Sequence, residues 1–88
     1  MKRIKFKEIS PGIYESIYIL KAKTGALYNV FVNRNDMSYK IKNVNSGRIY
    51  VNEKKGLTNL IVLHRHLRAH LTLLGVNIET TYYDKGKV

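Results

Sequence analysis

The residues able to do chemistry in this chain are mostly cations. Sixteen Lys/Arg stand against six Asp/Glu in 88 residues, a formal net charge of +10 with the histidines neutral. Many of the cations alternate with apolar residues: Lys5 and Lys7 around Phe6, Lys40 and Lys42 around Ile41, Arg48 beside Ile49. Alternation at period two sends them to one side of an extended chain. Lys21 and Lys23 join them if Tyr18 and Leu20 point to the core, and Asn29 and Phe31 if Tyr28, Val30 and Val32 do. With Tyr50 assigned to the same side, the expected surface is Lys5, Lys7, Lys21, Lys23, Phe31, Lys40, Lys42, Arg48 and Tyr50. Ammonium and guanidinium groups meet phosphates, and flat rings stack on unpaired bases, so this combination suits single-stranded nucleic acid. A solvated charged face with no ligand is the competing reading.

A second group lies in His64-Arg65-His66-Leu67-Arg68-Ala69-His70. His66 and His70 have the four-residue spacing of metal ligands on a helix. A zinc site needs more donors, and this chain has no cysteine and no carboxylate in that segment. The metalloprotease pattern requires a glutamate after its first histidine, where Leu67 follows His66. No metal and no cofactor are therefore expected. The histidines either flank the core, or join Arg65 and Arg68 in an anion-binding surface. There is no Gly-rich phosphate loop and no serine, histidine and aspartate in a recognisable triad context. The carboxylates share no face, so no enzyme is expected.

The elements that position these residues follow from turn signals and periodicity. Ser10-Pro11-Gly12, Thr24-Gly25, Arg34-Asn35-Asp36 and Asn45-Ser46-Gly47 punctuate short segments rich in β-branched and aromatic residues. Residues 3–8, 27–33, 37–42 and 48–52 alternate as half-buried strands. Residues 13–23 are apolar on both sides and form either a central strand or a bend. Thr58 or Asn59 can cap a helix over 59–74, with Gly75 as its stop. Leu60, Leu63, Leu67, Leu71 and Leu74 step by three and four along one face of it. The predicted fold is α+β: an antiparallel β-meander of four to five strands packed against one long C-terminal α-helix. It occupies residues 1–76 as one basic domain, and 77–88 add an edge strand through Ile78, Thr80 and Tyr82 or a loose tail.

The order of strands through Tyr28-Asn29-Val30-Phe31-Val32-Asn33, Tyr39-Lys40-Ile41-Lys42 and Arg48-Ile49-Tyr50-Val51, then one helix, has a family likeness. It resembles the strands-then-helix unit of the purine-rich-element-binding (PUR) family, the Whirly proteins and the positive-cofactor-type coactivators. The likeness covers about half the chain. It implies binding of single-stranded nucleic acid on a basic, aromatic-bearing sheet by dimers of the unit. Arm-type DNA-binding domains of integrases share the element order and read duplex DNA.

No apolar run approaches the roughly 20 residues of a membrane span, and the N-terminus lacks the apolar core of a signal peptide. A cytoplasmic protein is expected, in a host cell if virus-encoded. A second apolar stripe of Val62, Ala69 and Leu73 on the helix predicts a homodimer. The functional expectation is a non-catalytic nucleic-acid-binding protein for single-stranded DNA or RNA. The alternative is a small viral or plasmid-borne module that docks on an acidic host protein.

Overall fold

The structure, a computed structural model, describes residues 4–52 and 59–77 and the course of the chain at 82–84. Among the described residues, seven short strands form one antiparallel sheet: β1 (Phe6–Ser10), β2 (Ile13–Ser16), β3 (Tyr18–Lys21), β4 (Leu27–Asn33), β5 (Ser38–Asn43), β6 (Ile49–Val51) and β7 (Tyr82–Asp84). One helix, α1 (Leu60–Leu73), lies between β6 and β7 in the chain. This is the expected α+β meander packed on one helix, with more strands than the sequence predicts.

Strand β4 is central because its alternation is strict. Tyr28, Val30 and Val32 are buried on one side, while Leu27, Asn29, Phe31 and Asn33 are half-buried on the other. One edge of β4 pairs with β5, and β5 pairs with β6. The other edge pairs first with β2 and then with β3. Across that break, residues 16–19 stand opposite only 29 and 30, between the pairs Glu15↔Phe31 and Leu20↔Tyr28. The segment predicted as either strand or bend is thus both. Extra residues on one strand interrupt the ladder, and some backbone donors there need other partners. Ser16 fills that role. Its buried Oγ accepts from the Val30 N–H at 3.1 Å and donates to Asn29 Oδ1 at 2.9 Å. From the bend the sheet splays: β1 continues on β2, and β7 pairs with β3.

Helix α1 forms where the leucine period predicts it. Asn59 is the N-cap, its side chain accepting from the Val62 N–H at 3.0 Å, so of the two cap candidates Asn59 serves. Gly75 ends it in the left-handed region at φ 88°. Leu63, Leu67 and Leu71 are fully buried, and Leu60 and Leu74 pack at the margin of the same core. They meet Leu20, Val30 and Ile41 from the sheet. The Val62, Ala69 and Leu73 stripe divides. Val62 packs against the core, Ala69 is exposed, and Leu73 is 85% exposed. No helix among the described residues is long and apolar enough to cross a membrane.

Two turns fix the register of the strands. Gly12 sits at φ 77° with the Asn35 side chain so close that a Cβ would fall 2.5 Å from Asn35 Oδ1. Met37, predicted as the first residue of its strand, instead completes a turn at φ 53°, and β5 begins at Ser38. Of the predicted C-terminal edge strand, Tyr82 lies in β7, while Ile78 and Thr80 lie outside the described residues.

Candidate nucleic-acid interface

Helix α1 covers one face of the sheet, and residues of opposite parity define the other. Directly opposed residues on neighbouring strands share a face. The register therefore draws one row across that open face: Lys7↔Glu15, Glu15↔Phe31, Phe31↔Lys40 and Lys40↔Val51. A second row runs Asn29↔Lys42 and Lys42↔Ile49. Lys7, Lys40 and Lys42 are exposed, and the Phe31 ring is half-buried between strands. Lys5, exposed and of Lys7's parity, flanks the first row, and half-buried Lys21 pairs with Leu27 further along the same face. Lys23 is exposed in the turn after β3, where its backbone N–H bonds to the Gly75 carbonyl.

The cations do not form one field. Adjacent strands lie about 4.8 Å apart, so Lys7, three strands from Lys40, is about 14 Å away across the sheet. That exceeds the Debye length of about 8 Å at physiological salt. Glu15 also lies between them, its Oε2 accepting from Asn29 Nδ2 at 2.9 Å. Lys40 and Lys42, about 7 Å apart along β5, do fall within that length, and Phe31 lies directly beside Lys40. This trio is the compact part of the predicted surface.

Two predicted residues belong elsewhere. Tyr50 pairs with Ile41, a fully buried residue of the helix side, so Tyr50 faces α1. Its ring meets Tyr28 at 6.4 Å and His70 at 5.6 Å, both edge-on. Arg48 follows it, with its guanidinium 4.9 Å from the Tyr50 ring centroid. In exchange, Ile49 and Val51, of the parity left for the core when Arg48 and Tyr50 are assigned to the exposed side, stand on the open face at 54% and 51% exposure. The loop explains the inversion. The Asn43 N–H bonds to the Arg48 carbonyl, and Asn43 Oδ1 accepts from the Asn45 and Ser46 N–H groups. This closes a four-residue loop, 44–47, and its even length pairs 41 with 50 instead of with 49 or 51. The Asn43-Val44-Asn45-Ser46-Gly47 turn chemistry was the signal that could have set the parity.

The histidines occupy three different settings. His70 Nδ1 shares a 2.9 Å hydrogen bond with the Tyr39 hydroxyl. His66 is half-buried on the same side of α1. His64 packs edge-on against Phe6 at 5.7 Å. Burial, and then the nearby Arg68 charge, lowers the His64 pKa below its ordinary value. The Tyr28 hydroxyl is shifted upward by burial and by Tyr50, with Arg48 opposing. Among the described residues, no three His, Cys, Asp or Glu side chains are placed to hold a metal ion.

A feature that parity did not foretell is a groove of about 680 Å³ beside the first half of α1, lined by Ile4, Leu60, Ile61, His64, Arg65 and Arg68. Comparison of the chain with known protein families, curated proteins and solved structures yields no match.

Proposed function

We propose that this chain is a non-catalytic nucleic-acid-binding protein that takes single-stranded DNA or RNA on the open face of its sheet. What supports the reading is the cross-strand row that sets the Phe31 ring beside Lys40, with Lys42 next along β5. A strand lying across β4 and β5 stacks a base on Phe31 while its phosphates meet the two ammonium groups. Ile49 and Val51 border the site and offer apolar contact to a neighbouring base or sugar. Lys5, Lys7, Lys21 and Lys23 extend the path by charge alone. Exposed apolar residues on the helix, with Leu73 foremost, are the reason to assign a homodimer. Light scattering that returned the 10.2 kDa chain mass at high concentration would remove the dimer from this reading.

The test is oligonucleotide binding at several salt concentrations. Each phosphate contact on a single strand makes log affinity fall against log salt by about 0.7. Lys40→Ala with Lys42→Ala should weaken binding to all sequences and flatten the slope. Phe31→Ala should cost about 1–3 kcal/mol and leave the slope in place. Unchanged affinity in both folded variants would move the site off this face.

A second reading draws on Ile49 and Val51. Half-exposed β-branched residues ringed by lysines also suit an interface with an acidic protein. A chain that binds no oligonucleotide, yet loses capture of one acidic protein on Val51→Ser, would favour it.

A further inference from the structure

The groove beside α1 is separate from the open sheet face and is built differently. Ile61, Arg65 and Arg68 follow one another at helical spacing on one flank of α1, and Leu60 and His64 form the adjacent row. Ile4, from the segment leading into β1, completes the described lining. Arg65 is exposed and Arg68 half-buried, and no described carboxylate lines the groove with them. The first turn of α1 contains no acidic residue either, so its N-terminal dipole is not offset by a side-chain charge of its own. The result is an apolar trough with two guanidiniums and an imidazole on one flank.

We propose that this groove binds a phosphate monoester carried on an apolar or aromatic body. Two arginines one turn apart present planar forks that match phosphate oxygens in a way that lysines do not. The ester's body lies on Ile61 and on the outward sides of Ile4 and Leu60, which are half-buried at the margin of the core. Ile61 is 75% exposed although it is one of the larger apolar side chains of the helix. The edge-on contact with Phe6 holds the His64 ring at the rim. Burial and the Arg68 charge lower the pKa of that ring, which favours the neutral form able to donate one N–H without adding a third charge to the pair. The site stands whether or not the sheet face binds nucleic acid.

The experiment is calorimetric titration of the full chain at low ionic strength with four probes: adenosine 5′-monophosphate, hexyl phosphate, adenosine and inorganic phosphate. Both esters should bind at least about tenfold more tightly than inorganic phosphate, and adenosine should not bind. The double variant Arg65→Gln/Arg68→Gln, whose unchanged melting temperature would show it folded, should lose ester binding by about tenfold or more. Ile61→Ser should bring the esters down toward inorganic phosphate. Lys40→Ala/Lys42→Ala should leave all four titrations unchanged, which separates this site from the sheet face. Tighter binding of the nucleotide than of hexyl phosphate identifies a nucleotide as the source of the ester, and the reverse order identifies a lipid-like one. Ester binding that survives loss of both arginines, esters no tighter than inorganic phosphate, or no ester binding at millimolar concentration would each overturn the proposal.

Discussion

At the scale of single residues, His64 shows how burial converts into a measurable pH dependence. Its folded pKa lies below the ordinary histidine value of about 6.5, first through burial and second through Arg68. Phe6 from β1 faces it as an uncharged ring, and Arg65 and Arg68 share its groove. The unfolded chain therefore takes up a proton at a higher pH than the folded one. Stability is full above the unfolded pKa and falls as pH drops through 6.5 toward the folded value. Urea midpoints measured from slightly alkaline to mildly acidic pH should decline on the acid side, and His64→Gln should flatten that limb. The decline should be small because the ring is only half-buried. A midpoint that held level or rose on acidification would contradict the environment described for His64. Ser16 makes a complementary point without titration: a small hydroxyl is buried completely because a bend in the sheet leaves the Val30 N–H in need of an acceptor.

At the scale of elements, α1 is the part on which the rest leans. Leu67 is fully buried against the sheet, and Leu67→Ala should lower stability by about 2–5 kcal/mol through lost burial and a residual cavity. Asn59→Ala should cost about 1 kcal/mol by removing the acceptor of the Val62 N–H. Urea unfolding of the two variants checks both, and a cap change as severe as the core change would show that the helix end carries more than its cap. The same elements mark what sequence alone could tell. Helix α1 and strand β4 were legible because one period dominates each: leucines at three and four, and strict alternation from Tyr28 to Val32. Strand β6 was not, since Ile49 and Val51 look more apolar than Tyr50 while the Asn43 loop decides the register. The break at Ser16–Ile17 was hidden for a related reason. Ile17-Tyr18-Ile19-Leu20 is apolar on both parities, so neither side was marked as the core. Phe31, Lys40 and Lys42 stand on the expected face because β4 and β5 have clear parity. Arg48 and Tyr50 were lost with β6.

At the scale of the whole molecule, charge sets two salt effects of opposite sign. The chain carries ten net positive charges on 88 residues. Their mutual repulsion opposes the compact state, and it is screened as the Debye length falls from about 30 Å at 0.01 M to about 8 Å at 0.15 M. The melting temperature of the free protein should therefore rise with added sodium chloride. A bound polyanion neutralises part of the same charge and stabilises the folded state by mass action, in proportion to the logarithm of ligand over dissociation constant. Its affinity falls with salt because fewer counterions are released to advantage. Adding a short single-stranded oligonucleotide should thus raise the melting temperature strongly at low salt and hardly at all at high salt. Over the same range the free protein moves the other way, so the two curves should converge. A duplex of the same sequence raises the temperature less if stacking on Phe31 contributes, because its bases are already stacked. Curves that stay parallel at all salt concentrations would mean that the oligonucleotide does not use the protein's positive charge. The acidic-protein reading built on Ile49 and Val51 would then become the stronger of the two.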